Sequence, residues 1–440
     1  MFKRLLPDVY EGWLIVGSMA LMIVVTGGAF AWGFGTIFTP IRDEFGWSAA
    51  ATSVAFSLRS EVSGVAAPFI GLLIDRFGPR VVFLAGVTIA ASGMAAMSLM
   101  ENLWQFYLAM VVISTGISAV GGPVGMVAIA TWFERRRARA LSFMTVGGAF
   151  AGFAVVPVAW LTEEFGWRTT LRVLGAVVFA AGLLTSTNLR LRPDQHHQPL
   201  DGIREAPGEA RYQRVQWGVP VRRAIRSRAF LMLSLVQMSV FFGISALIVH
   251  QIPYMESLGI AKTTAGGVVA FFALFSLVGR LGAGWAADKY DKRLVLGACV
   301  VLTCVGVPSL ALAKTLPQIV VVMMVIAPGF GGLVPLRPAI IADYFGTRSF
   351  GTLNGMSMFI VAMGSAIAPI LVGRAVDVTG EYTVGWLLAG AISMIGIPAL
   401  LAMRPPDALI AEFRDVRSDR PAGEEQPAPV VAPSTVPSGR

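Results

Sequence analysis

Long apolar runs alternate along the chain with short polar joints. Runs near the length a helix needs to cross bilayer hydrocarbon, about twenty residues, fall at 13–36, 50–74, 81–99, 104–128, 138–162, 168–188, 230–252, 266–287, 294–313, 317–342, 351–373 and 383–403. They predict an all-α membrane protein with twelve transmembrane helices. The long polar joint between the sixth and seventh runs splits the chain into six spans and six spans. The expected organisation is an N-terminal six-helix bundle over 1–188, a linker over 189–229, a C-terminal six-helix bundle over 230–404 and a disordered tail over 405–440. The end of that tail, "RPAGEEQPAPVVAPSTVPSGR" (420–440), is rich in Pro and Ala and has no periodicity, a composition that cannot bury enough apolar surface to fold.

The two halves repeat. "GLLIDRFGPR" (71–80) follows span two and "GWAADKYDKR" (284–293) follows span eight. Both read G-x-x-x-D-[RK]-x-x-x-R, so Gly71, Asp75, Arg76 and Arg80 match Gly284, Asp288, Lys289 and Arg293, and the first copy adds Gly78. "WFERRRARALS" (132–142) and "YFGTRSFGTLN" (344–354) form a second echo at nearly the same offset. Two echoes on the same side of the spans indicate a duplicated six-span unit. In the motif, glycine lets two helices approach closely. The aspartate is expected to complement the N-terminus of the next span, and the basic residue to bind the facing half or lipid phosphate. The motif is thus a candidate gating latch between the halves.

Charge refines this picture. Only 14% of residues are charged, against roughly a quarter in soluble proteins. The formal net charge of +9 would suggest a nucleic-acid partner in a soluble chain. Here its distribution gives another reading. With the N-terminus placed in the cytoplasm, 26 Lys and Arg fall on the inner segments, 6 on the outer joints and 3 inside spans. That is the positive-inside pattern. It predicts a multi-pass protein of the cell's inner membrane with both termini cytoplasmic, embedded in the lipid bilayer and without a nucleic-acid partner. Lys3 and Arg4 precede an apolar run too long for a signal-peptide core. Cys299 and Cys304 are five apart in one span and read as small core residues, and His196–His197 sit in the polar linker. No metal site, cofactor or catalytic constellation is expected, and the protein is not read as an enzyme.

Five ionisable groups fall inside the spans: Arg59, Glu61, His250, Arg280 and Arg337. Burying a charge at that depth costs on the order of 3 kcal/mol by insertion scales, so each is a functional candidate. Three arginines face one carboxylate, and an anionic ligand is the natural missing group. Arg280 is the strongest candidate. Its helix face carries Ala273, Ser276, Leu277, Ala283, Gly284 and Ala287, whereas Phe271, Phe275, Val278 and Trp285 lie opposite. Small residues around a guanidinium suit a cavity wall, and its planar fork suits a carboxylate. Asp288 is eight residues on, about 12 Å of helix rise, beyond easy snorkelling reach. Arg59 and Glu61 are about 200° apart on one helix and do not simply pair; a desolvated Glu61 can carry a coupling proton. His250 precedes Pro253, which is expected to break the helix, and is either a structural or a proton-carrying histidine. Arg337 lies in "PGFGGLVPLRPAI" (328–340), expected to be irregular and to serve gating. Span one, "VVTGGAFAWGFGTIF" (24–38), joins a Gly pair to Trp32, Phe34 and Phe38.

With these residues the chain resembles the major facilitator superfamily over about residues 10–405, through Gly71-x-x-x-Asp75-Arg76-x-Gly78-x-Arg80. Within it, "EFGWS" (44–48), "RRRARALSFMTVGGAFAG" (135–152), "EFGWRTTLRVLGA" (164–176) and the arginine of span eight resemble the monocarboxylate transporters and their bacterial oxalate/formate-type relatives. The resemblance implies two pseudo-symmetric six-helix bundles working by alternating access, with Arg280 gripping a substrate carboxylate. The mammalian carriers have an aspartate where this chain has Ser276, and a span-one lysine where it has Trp32. Glu61 or His250 would have to replace them in proton coupling. The expected function is secondary transport of a small organic anion, a mono- or dicarboxylate, by a monomer with a proton or counter-anion as coupling ion. The alternatives are a drug or small-molecule exporter, and a non-transporting membrane sensor on a transporter fold.

Overall fold

The structure, a computed structural model, describes residues 10–47, 49–189, 200–202 and 217–414, with the side chains of 31, 32, 39, 49–61, 262 and 414 outside that description. Every regular element among the described residues is helical, apart from one isolated bridge between Gly218 and Gly346. Ten helical stretches are long and apolar enough to cross a membrane. One of them, Arg137–Ser186, is 50 residues long and turns at Gly166 (φ 75°, ψ 160°), so it holds spans five and six. Span two, Ala49–Phe77, carries Arg59 and Glu61 and completes the twelve. The others are span one (Glu11–Thr26 and Phe34–Phe45), span three (Pro79–Met97), span four (Leu103–Val120 and Gly122–Trp132), span seven (Arg228–Ser257), span eight (Lys262–Lys289), span nine (Lys292–Ser309), span ten (Leu316–Phe345), span eleven (Phe350–Thr379) and span twelve (Tyr382–Met394 and Gly396–Ala402). They form two six-helix bundles.

Apolar side chains face outward around the bundles. Phe69, Trp104, Val278, Leu312 and Leu401 are all exposed, as suits a lipid environment. Inside, burial differs between the two ends. At the end that carries the joint motifs, one continuous core includes Ile70, Ile74, Leu141 and Met144 of the first bundle together with Ala283, Leu336 and Leu353 of the second. At the opposite end each bundle has its own core, around Phe34 and Phe106 in the first and around Tyr254 and Trp386 in the second. The bundles are therefore joined at the motif end.

Two expected irregularities are absent. Span seven runs unbroken through Pro253, and span ten runs as one helix through Pro328, Pro335 and Pro338. Close neighbours hold span ten in shape. A Cβ on Gly331 would stand 2.0 Å from the Ser276 carbonyl, and one on Gly332 would stand 2.5 Å from Cys299 Sγ. Neighbouring helices of this kind compensate the backbone groups that proline frees. Real breaks occur elsewhere. Span one passes through a π-helical turn, Gly27–Trp32, and span five through a 3-10 turn, Ala151–Ala154. These breaks pack together, since a Cβ on Gly28 would come within 2.3 Å of Ala154 Cβ.

The linker is tied down at both ends of its described part. The Asp201 carboxylate accepts from the amides of Glu134, Arg135 and Arg136 in the joint before span five. Val219 N–H donates to Phe345 O at 2.9 Å, and Thr347 N–H to Trp217 O at 3.1 Å. The tail, expected to be unstructured from 405, begins with a helix, Asp407–Arg414. Leu409 and Phe413, one turn apart, pack on the motif-end core, and Glu412 pairs with Arg223. That i, i+4 apolar pair is the signal that the disordered reading passed over. The Pro/Ala-rich stretch 420–440 lies outside the described residues.

Candidate functional site between the bundles

Arg280 reaches from span eight across to the other bundle. Its Nη1 donates to Thr145 O of span five at 2.7 Å, and its guanidinium carbon lies 5.8 Å from the Phe330 ring centre of span ten. Nε has no hydrogen-bond partner, and no carboxylate among the described residues pairs with Arg280. Gly148 of span five lies alongside: a Cβ there would stand 3.6 Å from Nη1, in ordinary contact. A cation bonded only to a neutral carbonyl keeps most of its capacity for an anion.

The face of span eight around Arg280 is closely packed. A Cβ on Gly279 would stand 1.9 Å from Pro328 O, and one on Gly284 would stand 2.0 Å from Ser142 Oγ. Small residues there bring spans five and ten against span eight. The bulky residues Phe271, Val278 and Trp285 are exposed on the outer surface. Ser276, one turn before Arg280, is buried, and its hydroxyl donates to Ala273 O of its own helix at 2.6 Å.

The remaining intramembrane candidates separate. His250 Nε2 lies 2.9 Å from Pro369 O of span eleven, and its ring is 5.8 Å from that of Tyr382. This places it in the seam of spans seven, eleven and twelve. Counted from the motif ends of their helices, His250 stands roughly 20 Å further out than Arg280 by helix rise. Arg337 is buried at 7% exposure and has neither an ion-pair nor a hydrogen-bond partner among the described residues. Arg59, Glu61 and Trp32 are helical in backbone, and their side chains lie outside the described residues.

The joint motifs meet across the bundle interface. Asp75 was expected to complement the next helix, span three. It lies instead at the end of span two and accepts from Gly351 N (2.9 Å), Thr352 N (2.7 Å) and Thr352 Oγ1 (2.6 Å) at the start of span eleven. Asp288 repeats the arrangement at the end of span eight. It accepts from Ala138 N of span five at 3.2 Å and lies 3.5 Å from Arg139 Nε. Each aspartate thus caps a helix of the opposite bundle, because tight helix contact delivers that N-terminus to it. A Cβ on Gly71 would stand 2.1 Å from Gly351 O. Gly78 (φ 82°) makes the turn into span three. Arg76 and Arg80 are exposed. Lys289 lies over the Trp285 ring, and Arg293 donates to Leu401 O at the end of span twelve.

Sequence reasoning missed a further tie, Arg137. Its guanidinium binds Asp343 of span ten at 2.5 Å, Phe133 O at 2.9 Å and Ala130 O at 3.1 Å. Lys292 shares Asp343. Asp201 was missed as well. Both residues sit in charged joints where partners 65 to 206 positions away cannot be paired by spacing.

Comparison with known proteins gives a consistent result. The chain matches the Major Facilitator Superfamily over residues 19–254 and 233–432. It is 26% identical over 447 residues to human Monocarboxylate transporter 12, covering 96% of this chain and 85% of that protein. It is 24% identical over 375 residues to the uncharacterized MFS-type transporter YcxA of Bacillus subtilis, covering 83% of this chain and 88% of that one. Among solved structures, FucP in the outward conformation superposes with a TM-score of 0.70 at 12% identity, over 90% of this chain and all of that one.

Proposed function

The chain belongs to the major facilitator superfamily, in its monocarboxylate-transporter-like branch, and from that premise we propose that it carries a small organic anion, a mono- or dicarboxylate, by alternating access. The observation that carries this reading is Arg280. It is a guanidinium at the interface of the bundles, bonded to one neutral carbonyl, with no carboxylate beside it among the described residues. A substrate carboxylate would supply the missing charge through two parallel hydrogen bonds. The names of relatives such as human Monocarboxylate transporter 12 support the same substrate class.

In this reading the motif end is the cytoplasmic end, as the concentration of Lys and Arg on that side supports, and the membrane is the cell's inner membrane. The shared core and the two aspartate caps are the closed cytoplasmic gate, with Gly71, Asp75, Gly284 and Asp288 as its parts. Substrate reaches Arg280 from the opposite end. Rocking of the bundles then breaks the caps and opens the cytoplasmic side. The His250 ring is already engaged by Pro369 O, so Glu61 is the favoured carrier of a coupling proton.

The test is a thermal-shift series on the purified chain with lactate, pyruvate and oxalate. A ligand of the folded state raises the unfolding midpoint. At least one of these acids should do so in the native chain and none in Arg280→Ala. A shift of equal size in Arg280→Ala would remove Arg280 from the site, and no shift with any carboxylate would remove the substrate class.

A further inference from the structure

Spans seven and ten meet through two aromatic pairs. Phe230 lies against Phe345 at the motif end, and Phe241 against Phe330 further in, each with ring centres 6.0 Å apart. Between these contacts each helix carries buried polar groups among its apolar ones. On span seven, Ser234 and Gln237 follow Phe230 by four and seven residues, a spacing that puts all three on one helix face. On span ten, Arg337 follows Phe330 by seven residues and so lies on the face that meets span seven. Gln237 is about 10 Å of helix rise from the motif-end pair and Arg337 about 12 Å, so the two stand at one level.

All three are buried, with Ser234 at 3%, Gln237 at 0% and Arg337 at 7% exposure. Ser234 Oγ, Gln237 Oε1 and Nε2, and Arg337 Nε have no hydrogen-bond partner. The carboxylate nearest to Arg337 along span ten, Asp343, is held by Arg137 and Lys292. An arginine does not shed its proton in a protein, and a buried charge persists when it is paired. Facing unpartnered donors around an unpaired cation make a place for an anion.

We propose that this chamber is an anion site separate from Arg280. It takes one small monovalent anion on Arg337, with the Gln237 amide and the Ser234 hydroxyl donating to it. One guanidinium neutralises one charge, and the burial of all three groups suits a small monovalent occupant such as a halide or formate. Arg280 itself points to span five, whereas Arg337 lies two turns further along span ten toward the motif end.

The experiment measures unfolding midpoints of the full chain in Arg280→Ala, which silences the other guanidinium. Sodium chloride, bromide or formate is titrated against gluconate at constant ionic strength. A saturable rise is expected, lost on adding Arg337→Gln. Gln237→Leu in the same background should weaken the apparent affinity about tenfold, the effect of losing one hydrogen bond to an ionised group. If the Arg337→Gln protein does not fold, the Gln237→Leu titration decides. A rise with halide alone identifies an inorganic anion as the occupant, and a rise with formate identifies a carboxylate. No rise with any of these anions, or a rise unchanged by the added substitutions, overturns the proposal. Because the readout is taken without Arg280, its failure would leave the Arg280 reading intact.

Discussion

The carboxylate of Asp75, at the end of span two, accepts hydrogen bonds from both the amide and the hydroxyl of Thr352, at 2.7 and 2.6 Å, in the first turn of span eleven. Asp288 and Ala138 make the related contact between spans eight and five. Two helix starts in two bundles thus depend on carboxylates from the opposite bundle, and separating the bundles at this end exposes both.

Asp75→Ala and Asp288→Ala should each destabilise the closed motif end by about 1–2 kcal/mol, the scale of a lost helix cap with its charge. Electron–electron distance measurements between labels at Arg76 and Arg348, both exposed, should move toward longer separations. Unchanged distances in both variants would remove the caps from gating.

Close approach gives a second prediction. A side chain at Gly71 meets the Gly351 backbone, which cannot swing aside, whereas one at Gly282 meets nothing within 4 Å. Gly71→Leu should hold the motif end open and abolish transport in protein that still inserts. Gly282→Ala should transport normally. Paired transport and expression measurements check both, and a fully active Gly71→Leu chain would contradict the packing argument.

The fold was largely legible in the sequence because apolar runs of membrane length have few alternatives, and the G-x-x-x-D spacing marked the right residues for contact. Its partners were not legible. Asp75 reads as a cap for span three, a few residues away, and caps span eleven, 276 residues away. Which N-terminus comes within reach depends on how two bundles pack. Arg137 and Asp343 were hidden for the same reason. At Arg337 the charge was visible from the start, but its level with Gln237 follows only from the register of two antiparallel helices. The prolines of span ten misled because helix contacts from Gly331 and Gly332 outweigh the local break.

Asp201→Ala should release the linker from the first bundle. Four contacts to three part-buried amides are lost, and a hydrogen bond to an ionised group contributes about 1.5–3 kcal/mol. Limited proteolysis should cut between residues 189 and 216 faster in the variant, with a lower unfolding midpoint. Equal cleavage rates would show that the anchor is dispensable.

At the end opposite the motifs and beyond the membrane-length stretch of span one, which ends at Phe38, the exposed Glu44 accepts from Trp167 Nε1 at 2.7 Å and from Arg168 Nη1 at 2.5 Å. The Trp167 bond first, then Arg168, holds its carboxyl below the usual glutamate value. A lowered folded-state pKa gives stability that is fully present above the unfolded value, about 4.3, and lost as pH falls through the folded one. Melting curves should show this acid-side loss in the native chain and a shallower one in Glu44→Gln; identical slopes would contradict the assignment.

The central claim is that Arg280 grips the carboxylate of a transported anion. The most direct measurement is uptake of labelled lactate, pyruvate, formate and oxalate into liposomes holding either the native chain or Arg280→Ala, with folded protein matched by its elution as a single species. Saturable uptake of at least one acid by the native chain, falling about a hundredfold or more in Arg280→Ala, is the predicted result, since a bidentate pair with an ionised group contributes about 3 kcal/mol. Undiminished uptake by Arg280→Ala would contradict it.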